Sequence, residues 1–233
     1  LFSNPRTPRR PGQALPTGPL SFGQDLKFLM RTLPRGELAV EPAVSLYTAR
    51  RALVQHRPRI LVFSGHTIGE DGDNVALETP DGAFDMVAAA DPDIFIALLT
   101  SLARPGATSA VQLQRLERHL NEQQAVALEM PHCARGWMQR AAEERALAAR
   151  PPGMQRSESE EAGGFRESSQ ALSRLSGVLL NGCRTERIGQ RIIVALGAVL
   201  PHVAVICWST VTEDVAARTW AVGFFAAYSR LAL

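Results

Sequence analysis

The chain has 233 residues, 45% of them apolar and 21% charged, which is enough for one large globular domain with its own core. That excludes a disulfide scaffold, a coiled coil and a disordered tail. Of 25 basic residues only Lys27 is a lysine, and 23 acidic residues leave a formal net charge of +2. Nucleic-acid binders cluster an excess of positive charge, so no nucleic-acid partner is expected and the Arg bias reads as codon composition.

The near-neutral total hides an internal polarity. Residues 1–60 carry ten basic and three acidic side chains, and residues 61–105 carry one and eight. The three cysteines, Cys133, Cys183 and Cys207, make no even framework, which points to a reducing, intracellular and cytoplasmic setting. The sequence opens at Leu1 with neither an initiator Met nor a basic-then-apolar leader, and reads as a segment of something longer. Residues 192–212 lack Asp, Glu, Lys and Arg, but Pro201 and His202 interrupt them. They read as helix, turn and buried strand rather than a membrane span.

In chain order, a short apolar start (Leu1–Ser3) leads into a Pro- and Arg-rich loop to Pro19. Phe22, Leu26, Leu29, Met30 and Leu33 have helical spacing, and Leu38–Val40 reads as a strand. Ser45 is placed to cap a helix running to about Gln55, with Leu46, Ala49 and Leu53 on one face. Arg59–Ser64 is a continuous apolar run, the mark of a parallel strand covered on both faces. The acidic loop Gly69–Asp73 follows, with a hairpin expected around Pro80-Asp81-Gly82. Asp91-Pro92 opens a further helix. Residues 105–172 read as an insertion, helical around Leu113, Leu116 and Leu120 and disordered over Arg150–Gly164. Order returns with a strand at Gly177–Asn181, a helix through Ile188, Ile192, Ile193 and Leu196, and a strand at Val203–Trp208. A last helix is capped by Thr212, with Ala217, Trp220, Phe224 and Leu231 on its apolar face. The alternation defines one α/β domain over 1–233, with a mostly parallel sheet and helices on both faces.

Active sites in such sheets collect beyond the carboxyl ends of the strands. Two strands end in a small residue and then a reactive one: Ile60-Leu-Val-Phe-Ser-Gly-His66 and Val178-Leu-Leu-Asn-Gly-Cys183. If these strands are neighbours, His66 and Cys183 emerge together, and a Cys/His pair is the minimal apparatus for covalent acyl transfer. A thiol is mostly protonated at neutral pH, and a neighbouring imidazole or helix N-terminus shifts it toward thiolate. The backbone amides of Thr67 and Cys183 are candidate oxyanion donors. Gly65 and Gly182 would let the backbone approach a substrate carbonyl, and Asn181, Trp208 and Asp214 complete the candidate cleft.

Other constellations are weaker. His132-Cys133 are adjacent and diverge on a helix. Cys207 reads as core. Glu70, Asp71, Asp73 and Asn74 lack the spacing of an EF-hand loop, although calcium-gated activation would rest on them. Those carboxylates, or Asp81 and Asp85, would instead steer a basic peptide. No G-x-S-x-G, Walker A or dinucleotide glycine motif is present, and neither a cofactor nor a metal is called for.

The chain resembles the CHAT family of caspase-like cysteine peptidases, whose marks are an apolar strand ending in Ser-Gly-His and a later one ending in a small residue and Cys. Leu1–Pro5, the Pro42–Ser45 lead-in with Arg50–Leu53 and His56–Pro58, and Val205–Ser209 with Glu213–Ala217 and Ala221–Phe225 are similar to further parts of that domain. The resemblance implies a three-layer caspase-like fold, His66 as general base and acid, Cys183 as nucleophile, and a protein or peptide substrate. It also implies flanking sensor or repeat domains. Thr67 stands where the family has Gly, and a β-branched residue reaches positive φ only at a cost. A second reading is therefore an inactive module of the same fold that binds a basic partner through its acidic face.

Overall fold

In the computed structural model, residues 2–4, 27, 29–33, 37–42, 44–68, 73–82, 85–91, 93–129, 170–209 and 214–231 are described. The elements are β1 (Phe2–Asn4), β2 (Glu41–Pro42), α1 (Leu46–His56), β3 (Ile60–Gly65), β4 (Thr67–Ile68), β5 (Asn74–Val75), α2 (Met86–Ala90), α3 (Asp93–Ala103), α4 (Ala110–Glu129), β6 (Gly177–Asn181), α5 (Glu186–Gly197), β7 (Ala204–Ile206) and α6 (Asp214–Leu231). The chain is α/β. Five strands form one sheet in the order β2-β1-β3-β6-β7, and every pairing in it is parallel.

Local chemistry accounts for most boundaries. Ser45 caps α1 through its hydroxyl, which accepts from Thr48 N at 3.1 Å, while Thr48 Oγ1 accepts from Ser45 N at 3.0 Å. This reciprocal capping box satisfies two otherwise orphaned donors. Asp91 Oδ1 accepts from Asp93 N at 3.1 Å and so fastens the start of α3. All but two of the eleven residues of α3 are buried, as expected of a helix packed against α1, α4 and α5.

The two faces of the sheet bury separate clusters. Leu61 and Phe63 of β3 and Val178 and Leu180 of β6 pack with Leu53, Phe95, Leu99, Leu116, Ile188 and Ile192. The alternate residues Val62 and Leu179, with Ile206 beside them, meet Leu29 and Phe225. Side chains alternate across a strand, so this division follows from the apolar runs themselves. Burying a side chain such as Phe63 contributes about 2–3 kcal/mol.

Several sequence expectations are corrected. Leu38–Val40 is irregular, and the strand lies at Glu41–Pro42. Pro42 cannot donate to a ladder, and β2 occupies the sheet edge where that is tolerated. The hairpin after His66 is β4–β5, with Thr67 opposite Val75, and not a hairpin at Pro80–Gly82. Gly82 does form a turn, with φ at 83° and its N–H donating to Thr79 O at 2.9 Å. The arm before it is committed elsewhere, with Glu78 N donating to Val44 O at 3.1 Å. The buried face of α6 centres on Phe225, with Phe224 beside it, whereas Trp220 remains 36% exposed.

Within the stretch expected to be an insertion, α4 contributes Leu116 and Leu120 to the core, and Ala171, Leu172 and Leu175 are buried after it. His132, Cys133 and the stretch Arg150–Gly164 lie outside the described residues, as do Thr212 and the Pro-rich loop up to Pro19. Among the described residues no helix is long and apolar enough to cross a membrane. The apolar stretch from Ile192 is divided between the end of α5, a turn at Pro201-His202, and β7.

Candidate active site

β3 and β6 are neighbours with a constant offset, Ile60 facing Gly177 and Ser64 facing Asn181. Continued two residues past the ladder, that offset sets His66 against Cys183 at the carboxyl edge of the sheet. Adjacent strands lie about 4.8 Å apart, so two residues 117 positions apart in sequence leave the sheet side by side. The strands approach so closely beyond their ends that a Cβ on Gly182 would lie 2.5 Å from Gly65 O. Only glycine fits there.

His66 is held at its backbone on both sides. Gly65 before it pairs with Asn4 of β1, Thr67 after it pairs with Val75, and its own carbonyl accepts from Ala76 N at 2.9 Å. Its Nε2 is buried and has no hydrogen-bond partner among the described residues. Burial holds the imidazole pKa below its ordinary value, which keeps a neutral, proton-accepting ring at neutral pH.

Cys183 is half-buried and in no disulfide. Thr67 Oγ1 donates to its carbonyl at 2.5 Å. Thr67 sits in a strand, where β-branched residues are favoured, and the positive φ falls instead on Arg184, at 51°. The sharp turn between β6 and α5 is therefore made at Arg184, directly after the thiol.

Thr185 completes the turn. It is fully buried, and its hydroxyl donates to Leu180 O at 3.2 Å and accepts from Trp208 N at 2.8 Å. Glu186 N donates to Trp208 O at 3.0 Å. Those bonds tie the end of β7 to the start of α5 and leave α5 without a side-chain cap from Thr185. Sequence reading found neither this role of Thr185 nor the side-chain role of Thr67. It also missed the aromatic row beside Trp208. The Trp208 and Trp220 rings meet edge to face at 5.7 Å, Trp220 stacks on Phe224 at 5.3 Å, and Phe224 stacks near Tyr228 at 6.4 Å. The spacing of four along 220, 224 and 228 was the available signal.

The remaining candidates fall into place separately. Gly65, Asn181 and Gly182 are at the β3 and β6 ends, Trp208 lies just past β7, and Asp214 is the first residue of α6. Cys207 packs against α5, where a Cβ on Gly189 would lie 2.7 Å from its Sγ. Burial pushes that thiol up, and Glu186 adds to the effect.

The acidic rim is smaller than expected. Asp85 is 1% exposed. It caps α2 by accepting from Ala88 N at 2.9 Å and also binds His119 and Gln123, so it faces no substrate. Asp73 pairs with Arg187 at 3.3 Å. Asn74 is buried, with Nδ2 donating to Ala88 O at 2.6 Å, which commits its amide to the fold rather than to a cation. Glu70 and Asp71 lie outside the described residues. Among the described residues no group of three His, Cys, Asp or Glu side chains is arranged to hold a metal ion.

These features define an α/β chain with a histidine and a cysteine at matched positions on the carboxyl edge of a parallel sheet. No protein-family model matches the chain, and no curated protein matches it.

Proposed function

We propose that this chain is a cysteine endopeptidase of the CHAT, caspase-like kind, with the three-layer form of that fold, and that it cleaves protein or peptide substrates inside the cell. The observation that carries this reading is the side-by-side exit of His66 and Cys183, with Thr67 clasping the Cys183 carbonyl.

The chemistry follows from those groups. Neutral His66 accepts the Cys183 thiol proton, and the sulfur attacks the peptide carbonyl carbon. Amides near Thr67 and Cys183 stabilise the resulting oxyanion. The C–N bond breaks as His66 returns its proton to the leaving amine. Water then adds to the thioester, giving its proton to His66, and the C–S bond breaks to release the acid and restore the thiol. No cofactor or metal takes part.

The test is intact-mass detection of a peptidyl acyloxymethyl ketone, in which the thiolate displaces the carboxylate leaving group. Wild type should gain one adduct, mapped to Cys183, while Cys183→Ala and His66→Ala should not. Unlabelled wild type, or equal labelling of Cys183→Ala, overturns the peptidase reading and leaves the inactive interaction module.

A further inference from the structure

We infer that Asn181 and Trp208 form a subsite for a carboxamide, so that the residue on the acyl side of the scissile bond is Gln or Asn. The inference rests on the peptidase reading above and adds a substrate class to it.

Three side-chain atoms at one edge of the sheet, His66 Nε2, Asn181 Oδ1 and Trp208 Nε1, are buried and lack a hydrogen-bond partner among the described residues. His66 Nε2 is accounted for by the proton transfer. Asn181 and Trp208 are not. A buried donor or acceptor left unmade costs about 1–3 kcal/mol, and strain of that kind gathers where a ligand completes the bonding.

The two residues leave neighbouring strand ends. Leu179 faces Ile206 at the last pair of the β6–β7 ladder; Asn181 ends β6 two residues later, and Trp208 follows the end of β7 by two. Asn181 alternates with Leu180 and so shares the face of Leu179, and Cys183 follows it by two residues in the turn that leaves β6. Both are held. Trp208 is bonded at its N–H by Thr185 and at its carbonyl by Glu186, and its ring abuts Trp220. Asn181 is the last ladder residue, opposite Ser64.

One unpaired acceptor and one unpaired donor at neighbouring strand ends select their complement. A carboxamide offers N–H to Asn181 Oδ1 and C=O to Trp208 Nε1–H. A carboxylate has no donor for Asn181 Oδ1, a guanidinium or ammonium has no acceptor for Trp208 Nε1–H, and an alkyl chain satisfies neither. Sites that hydrogen-bond a substrate group reject analogues lacking it far more strongly than apolar pockets reject a missing methylene.

The experiment uses acyloxymethyl ketones identical except for Gln, Asn, Glu, Arg or norleucine at that residue, with inactivation rates read by intact mass. On wild type the Gln or Asn probe should react at least about tenfold faster than the norleucine, Glu and Arg probes. Trp208→Phe, which keeps a ring but removes the N–H, and Asn181→Leu should each lower the carboxamide-to-norleucine ratio about tenfold. Because the readout is a ratio on labelled protein, a variant that merely folds poorly does not mimic the result. A norleucine, Glu or Arg probe that matches Gln and Asn overturns the inference and leaves the peptidase reading intact. So does a ratio unchanged in both variants, which would mean that the pair binds substrate main chain. Absence of any Cys183 adduct overturns the peptidase reading and this inference with it.

Discussion

The Thr67 hydroxyl donates to the Cys183 carbonyl at 2.5 Å, across 116 positions of sequence. That bond joins the segment following the histidine strand to the turn that carries the thiol, and it converts two adjacent strand ends into one fixed constellation. It also gives the Thr67 hydroxyl a structural use.

Removing that hydroxyl should therefore loosen the thiol. Thr67→Val keeps the β-branched shape but leaves the Cys183 carbonyl without its donor, and kcat/KM should fall about 10–100-fold, the scale of a small misplacement of reacting groups. Thr67→Ser should restore most of the loss. Equal activity of Val and wild-type proteins would contradict the positioning role.

In the proposed mechanism, the depressed pKa of His66 should set the acid limb of the rate profile. An ordinary imidazole protonates near about 6.5, and burial moves this one lower. The free-enzyme limb of kcat/KM against pH should thus lie below that value, with the neutral base persisting into mildly acidic solution. The same burial makes the native state bind fewer protons than the unfolded one, so the His66 contribution destabilises the protein progressively as pH falls below about 6.5. A limb above that value would count against His66 as the base.

Gly182 offers a steric test. Gly182→Ala introduces a Cβ 2.5 Å from Gly65 O, and a backbone carbonyl in a strand cannot retreat as a flexible side chain can. Overpacking of this kind costs about 1–3 kcal/mol, or roughly 2–12 °C in Tm for a chain of this size. Calorimetry and probe labelling should fall together, since the strain sits between the histidine and cysteine strands.

Away from the site, Asp85, His119 and Gln123 bond in the interior, with His119 Nε2 at 2.8 Å and Gln123 Nε2 at 2.6 Å from Asp85 Oδ2. Gln123 Oε1 also accepts from Tyr47 N at 2.9 Å, so α4 is tied to both α1 and the start of α2. Burial alone lowers the His119 pKa, but the Asp85 hydrogen bond and charge, with Glu122 adding to them, outweigh it and the value is raised. A raised folded-state pKa stabilises fully below the unfolded value near about 6.5 and is lost as pH rises through the folded value. Urea denaturation should show that decline in wild type and not in His119→Gln. Asp85→Ala, which strips both the cap and the partner, should cost about 3–5 kcal/mol.

Cys207 should behave as a packing residue. Partial burial, with Glu186 adding to it, pushes its thiol up, and its sulfur abuts Gly189. Iodoacetamide at about pH 7.5 should alkylate it more slowly than a small-molecule thiol, as peptide mapping of the native protein would show. Fast labelling at Cys207 would contradict the packing.

Much of the placement of the candidate site was legible because its signals are local. The apolar runs ending at Ser64 and Asn181, the small residues after them and the Ser45 cap are each encoded within a few positions, and periodicity and capping act over that range. Asp85 was misread for the same reason. As one carboxylate in an acidic stretch it looked like surface charge, and only its partners on α4, 34 and 38 positions away, place it inside.

The sequence by itself determined that strands and helices alternate, that two buried strands end in Gly-His and Gly-Cys, and that the charges are divided between segments. The tertiary structure alone decided that β3 and β6 are neighbours in matched register, that Thr67 reaches the Cys183 carbonyl, and that β7 lies beside β6 with Ile206 facing Leu179. Propensity and pattern are properties of a few consecutive residues, whereas strand order and register are set by how the whole apolar surface is buried at once.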